Sequence, residues 1–256
     1  MNLSLHLVSA ILLILARVAG MISTAPVFSR KDVFSMAKVA FVFWLTASLV
    51  FAIPIPRELP NNVEPFVLLF ISQFLVGVII GLIADLLVVA VEFAGSLMDT
   101  QAGLSVAALL DPSTGRSIPL LSQTLNWVAI LIFLQLNGHH MVITTLVKSF
   151  DILPIAMPLN FTKGSQMVFS LGTELFKVGL IISAPILLVM FIVDFAFGLL
   201  NKIAEQINIF QLGFQVKPSV GLLVFLAITP GLTDTIYKLM EMLTEKTFEV
   251  LIALQV

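Results

Sequence analysis

Between Pro65 and Pro112 lie 46 residues, almost all apolar, with no proline among them. As one straight α-helix rising about 1.5 Å per residue, such a segment would be about 70 Å long. The hydrocarbon core of a bilayer is only about 30 Å thick. The segment therefore projects far out of a bilayer or folds back on itself. Gly95 and Gly103 are the natural break points, and a hairpin or a kinked long helix is the expected form. The same stretch carries Asp85, Glu92 and Asp99, spaced by seven. On a helix they fall on one stripe, drifting only about 20° per step. Carboxylates at membrane depth are costly unless they face water, a partner or a cation. Three readings follow: the acids line an aqueous path, they pair with basic residues of neighbouring subunits, or they sit where the helix has left the bilayer. The length of the segment gives the last as much weight as the other two together. Arg17, inside the first apolar run, is a candidate internal partner. The stripe runs on into Leu109-Leu110-Asp111-Pro112-Ser113-Thr114-Gly115, a loop between hydrophobic segments. A wet helix face ending in such a loop suggests a conduit with something to close it.

Composition sets the class. The chain is 59% hydrophobic and 11% charged, with a mean hydropathy of +1.10. A soluble domain averages about 45–50% apolar and about 25% charged. The expectation is an all-α, polytopic membrane protein. A net charge of −2 offers no basic surface for nucleic acid. The absence of cysteine excludes disulfides and thiolate metal sites. The N-terminus lacks the basic region and cleavage pattern of a signal peptide and reads as a first membrane helix.

Six to eight helical pieces are expected, at 5–23, 36–53, 66–108, 118–136, 140–150, 172–201, 219–229 and 234–254. The polar stretch 201–218, with Phe210 and Phe214 embedded, reads as a loop or interfacial turn, and Pro230-Gly231 as a break before the last helix. Lys and Arg bias near helix ends sets orientation. The first connector carries Arg30, Lys31 and Lys38, the second Arg57 with Glu58 and Glu64, so the first is the better cytoplasmic candidate.

Gly77 and Gly81 form a GxxxG pair, a spacing that lets another helix approach closely. Asn137-Gly138-His139-His140 reads as a structural turn, because adjacent histidines point about 100° apart on a helix and do not match the i, i+4 spacing of a zinc helix. No phosphate loop or serine nucleophile elbow is present. The chain is read as a non-enzyme, with no cofactor and no metal site. The last helix sets Asp234, Lys238, Glu241, Glu245 and Glu249 opposite Leu239, Met240, Leu243 and Leu251, an amphipathic pattern suited to an interface or a partner.

Several of these stretches, in order, resemble one family. They are Ala16-Arg17-Val18-Ala19-Gly20 with Ala25-Pro26-Val27-Phe28, then Gly95 to Gly103 with Asp111-Pro112, then Phe133 with Asn137-Gly138-His139-His140 and Ser149-Phe150 to Pro154, and finally Asn208-Ile209-Phe210 with Gly213-Phe214 and Lys217. The chain is similar to the flagellar biosynthetic protein FliR family, called SctT in virulence type III secretion, and the flagellar branch is favoured by Asn137-Gly138-His139 and Ser149-Phe150.

The resemblance implies a core subunit of the export gate. Family members assemble with FliP and FliQ into a helical pore for unfolded flagellar proteins, which meets FlhB and FlhA at its lower end. It implies a fold of helical hairpins, FliP-like over about 1–200 and FliQ-like over about 201–256, in a single domain. It implies a place in the bacterial inner membrane at the flagellar basal body. It also implies that a loop plugs the closed pore. By position that loop is 106–122, with Leu109, Leu110, Asp111, Pro112, Gly115 and Pro119 as its distinctive residues, and Phe210, Gly213, Phe214 and Lys217 form a C-terminal loop. The alternative is a secondary transporter or ion channel that uses Asp85, Glu92 and Asp99 as a cation pathway.

Overall fold

A computed structural model describes residues 2–30, 33–54, 59–60, 62–104, 119–157, 159, 161–204, 206 and 208–255. Among them are seven helices: α1 (Asn2–Thr24), α2 (Ser35–Val50), α3 (Val63–Gln101), α4 (Leu120–Gln135), α5 (Gly138–Ile152), α6 (Phe161–Ile203) and α7 (Ile209–Ala253). The only extended pairing among the described residues is an isolated bridge between Leu159 and Gln255. The all-α expectation therefore holds.

The long third helix is one continuous run of 39 residues, about 58 Å at 1.5 Å per residue. It does not fold back. Gly95 does not break it, because a neighbouring helix packs directly against that position. Gly103 marks the end instead. Its φ of +72° is left-handed, the conformation that stops helices just past their last turn and that glycine adopts at no steric cost.

One expected break is shorter than expected and one is absent. α6 runs to Ile203 and α7 begins at Ile209, so the two helices are joined within 201–218 as expected, but over 204–208 alone; Phe210, Gly213, Phe214 and Lys217 lie in the first turns of α7. Asn208 starts that helix early: its Oδ1 accepts the Gln211 N–H at 3.2 Å and its carbonyl accepts the Leu212 N–H at 3.2 Å, the bonding of an N-cap residue. Pro230-Gly231 does not interrupt α7, and Pro218 and Pro230 are both internal to it. An internal proline costs about 3 kcal/mol, and α7 nevertheless continues through both.

The chain divides into two compact units: Met1–Leu86, Phe133–Gly172 and Met240–Val256 form the first, Leu87–Ile132 and Thr173–Leu239 the second. α3, α6 and α7 each contribute a stretch to both. In the first unit, Leu13, Ile14 and Met21 of α1 are fully buried with Ile80 and Ile83 of α3 and Leu146 of α5. In the second, Leu87 and Met98 of α3 are fully buried with Leu121 and Leu125 of α4, and Phe93 stacks on Phe176 of α6 at 4.2 Å between ring centroids.

Among the described residues α1, α3, α6 and α7 are long and apolar enough to cross a membrane, and the broken pair α4–α5 would make a fifth span. Burial separates them. Half of the most apolar window of α1 and of α3 is covered by the rest of the chain, against 22% for α6 and 17% for α7. Phe176, Ile181, Leu188, Phe191, Ile192, Phe195 and Leu199 of α6 stand exposed. Apolar surface on that scale needs lipid or protein to cover it.

Candidate functional site

The most developed polar arrangement in the first unit centres on Arg17, which is fully buried. A guanidinium has five N–H donors in a fixed planar fork, and all five are used. Nε donates to Gln73 Oε1 at 2.8 Å, and Nη2 donates to the same oxygen and to the Leu153 carbonyl at 2.8 Å. Nη1 donates to the Ser149 carbonyl at 2.9 Å and to Ser149 Oγ at 3.0 Å. The guanidinium also lies over the Phe150 ring, 4.1 Å from its centroid, where the ring face attracts a cation. Gln73 passes the tie onward, its Nε2 donating to the Ile155 carbonyl at 2.9 Å. One side chain thus fastens α1 to α3 and to the end of α5. These hydrogen bonds go to neutral oxygens, whereas the sequence suggested a carboxylate of the stripe as its partner.

Small residues bring α1 and α3 close enough for this. A Cβ on Gly77 would collide with the Arg17 carbonyl, one on Gly20 with the Phe74 carbonyl, and one on Gly81 with the Met21 carbonyl and Thr24. Thr24 Oγ1 donates across the same contact to the Val78 carbonyl at 3.1 Å. Gly77 and Gly81 therefore sit at a backbone-to-backbone helix crossing of the kind small residues permit.

The three acids of the stripe lie in three different settings. Asp85 is half-buried, Glu92 exposed and Asp99 buried. Glu92 Oε2 accepts a hydrogen bond from Asn126 Nδ2 at 3.0 Å. Asp99 closes the start of α4: its Oδ1 accepts the Leu121 N–H and its Oδ2 the Ser122 N–H, both at 2.9 Å. A carboxylate there satisfies two of the four unpaired N–H groups of a helix start and complements its partial positive charge. A carboxylate committed in this way is poorly suited to relay cations, so the stripe does not read as one continuous ion path.

A cavity of about 500 Å³ lies in the second unit, lined by residues of the α3 end, late α6 and early α7, among them Gln101, Asp194, Phe197, Asn201, Phe214 and Lys217. Lys217 forms an ion pair with Asp194 on its wall. Gly213 and Gly103 also border it. Phe210 is in α7 by its backbone. Leu109, Leu110, Asp111, Pro112 and Gly115 lie outside the described residues. Pro119 is described: it directly precedes α4, and its carbonyl accepts the Gln123 N–H at 3.0 Å. At the other proposed turn, Asn137 is left-handed, with φ of 56°, and Gly138 is wedged against Phe133 and Met240.

Gln73 and Asp194 were not singled out by sequence reasoning, and Ser149 entered it only through the family resemblance. Gln73 did carry a signal, a lone amide within an apolar run, which at membrane depth implies a partner.

The fold and its polar ties define an all-helical polytopic membrane protein whose buried charge fastens helices together. Over residues 8–243 the chain matches the family described as Bacterial export proteins, family 1. It is 31% identical over 230 residues to the flagellar biosynthetic protein FliR of Bacillus subtilis, covering 88% of each chain. It is 32% identical over 221 residues to FliR of Escherichia coli, covering 84% of this chain and 82% of that one. The surface presentation of antigens protein SpaR of Salmonella typhimurium is 27% identical over 241 residues, with 91% and 88% covered. The chain belongs to this bacterial export family and is a component of a type III export apparatus.

Proposed function

We propose that this chain is a core subunit of the flagellar export gate in the bacterial inner membrane, at the basal body. It assembles with FliP- and FliQ-like subunits into a helical pore for unfolded flagellar proteins, and the complex meets FlhB- and FlhA-like subunits. It does no chemistry of its own. The observation that carries the reading is similarity to FliR proteins over more than four fifths of the chain. The exposed apolar flanks of α6 and α7 support it, because helices so little covered by their own chain suit a hetero-oligomer. In the same reading the segment 106–122 plugs the closed pore, about 1–200 is FliP-like and about 201–256 is FliQ-like.

The test is secretion. In a strain whose own FliR gene is deleted, expression of this chain restores flagellar subunits to the medium. A strain that makes and inserts the chain yet secretes nothing would count against the reading. Deleting 106–122 makes the membrane leaky to small ions, and an unchanged leak would remove the plug.

A further inference from the structure

The cavity of about 500 Å³ in the second unit is bordered by three glycines, Gly103, Gly198 and Gly213. A Cβ on Gly103 or Gly198 would meet nothing within 4 Å, and one on Gly213 only the Phe197 ring at 4.0 Å. Gly198 lies inside α6, where glycine is the poorest helix former after proline. Close packing and helix propensity therefore do not account for a glycine there. One turn further along both helices the space ends: Gly221 lets α7 press on Ala102 and Met190, both fully buried.

Two opposite charges border the space, Asp194 on α6 and Lys217 on α7, paired with each other and still 45% and 25% exposed. An ammonium has three donors and a carboxylate about four acceptor sites, so a single contact between them leaves capacity for a ligand. Asp194 lies nine residues before Ile203, the end of α6, and Lys217 eight after Ile209, the start of α7. The pair is thus about 12–14 Å in from the end of the hairpin. Lys202, Gln206 and Asn208 are exposed at that end and suit water. The headgroup layer of a bilayer is roughly 5–8 Å deep on each side of the hydrocarbon, which sets the pair near its inner edge. Deeper along α6, Phe191, Ile192 and Leu188 stand exposed. A charged recess at headgroup level leads into an apolar lane, the pattern of an amphiphile.

We propose that this cavity binds phosphatidylethanolamine. Lys217 meets the phosphate, Asp194 accepts from the ammonium, and the acyl chains lie along Phe191, Ile192 and Leu188. A zwitterion with N–H donors matches opposite charges set side by side. A headgroup with phosphate alone would face Asp194 unfavourably, and a trimethylammonium has no N–H to donate. The inference requires only that α6 and α7 lie in a membrane, so it is independent of the gate reading.

The test is lipid retention. The tagged chain, with whatever subunits accompany it, is purified in mild detergent containing equal amounts of phosphatidylethanolamine, phosphatidylcholine and phosphatidylglycerol, and bound lipid is read by native mass spectrometry. The parent is expected to retain phosphatidylethanolamine several-fold over the other two. Equal retention of all three means an adventitious additive only, and a preference for phosphatidylglycerol means an anion site of Lys217 alone; either result overturns the proposal. Soluble glycerophosphoethanolamine is expected to leave the lipid in place, and its displacement of the lipid would overturn the acyl-chain lane. Gly198→Leu fills the cavity and is a better helix former, so it is expected to lose the preference without melting lower. Asp194→Asn is expected to retain phosphatidylethanolamine and phosphatidylcholine alike. A preference that survives Gly198→Leu places the lipid elsewhere and refutes the site. Should a variant fail to fold, the parent's ranking and the soluble-headgroup arm still decide. A chain recovered without FliP- and FliQ-like subunits fails the gate reading and can still pass this test.

Discussion

Replacing Arg17 by methionine removes five donors and a buried charge while keeping much of the apolar stem. The consequences follow from the partners left behind. Gln73 Oε1 loses both of its donors and the Leu153 carbonyl loses one. The Ser149 carbonyl keeps the Leu153 N–H at 2.8 Å, and Ser149 Oγ keeps its bond to the Leu146 carbonyl. Two buried acceptors are orphaned, each costing about 1–3 kcal/mol, so the variant loses about 2–6 kcal/mol. For a chain of this size each kcal/mol moves the melting temperature by roughly 2–4 °C. Melting of the purified complex in mild detergent, followed by the fraction surviving size exclusion after heating, reads this loss. Arg17→Lys places its donors on a single nitrogen and cannot reach the three helices together, so it falls between parent and methionine variant. Adding Gln73→Met to Arg17→Met removes one orphan, though it gives up the bond to the Ile155 carbonyl. The double variant is therefore less destabilised than the two singles summed, by about 0.5–3 kcal/mol. An Arg17→Met protein that melts with the parent, or a strictly additive cycle, would refute the idea that this arginine ties α1, α3 and α5.

Other substitutions probe separate parts of the structure. Gly77→Val drives a side chain into the Arg17 carbonyl; overpacking costs at least about 1–3 kcal/mol, and the complex should melt lower by the same assay. Val27, directly after Pro26, has φ of 70°, a left-handed conformation costing a non-glycine residue roughly 1–2 kcal/mol. Val27→Gly is expected to raise the melting temperature, and a lowered one would mean that contacts of the valine outweigh the relief. Glu92→Gln keeps an acceptor for Asn126 on an exposed site; such changes stay within about ±0.5 kcal/mol, and secretion should match the parent. A loss of secretion with stability unchanged would revive the cation-pathway alternative.

Much of the architecture was legible in the sequence because it depends on apolar length and small-residue spacing. The uninterrupted run before Pro112 announced α3, and Gly77 with Gly81 announced a close crossing. What could not be read depended on distant neighbours. Pro218 and Pro230 look like stops, yet they lie within α7. Asp85, Glu92 and Asp99 share a stripe by spacing, but α3 meets different neighbours along its length, so one acid is half-buried, one exposed and one a helix cap. The partners of Arg17 lie 56, 132 and 136 positions away. They are neutral oxygens, and only Gln73, a lone amide in an apolar run, stands out in local pattern; the Ser149 and Leu153 carbonyls do not. The residues quoted for the proposed plug, from Leu109 to Gly115, fall outside the described part of the molecule.

Membership of a hetero-oligomeric gate is the centre of the account, and purification of the tagged chain from membranes in mild detergent tests it most directly. The account predicts that FliP- and FliQ-like proteins come with it as one particle, with this chain in fewer copies than its partners. Recovery of the chain alone, as a monomer or small symmetric oligomer that moves a solute by itself when reconstituted, would contradict it.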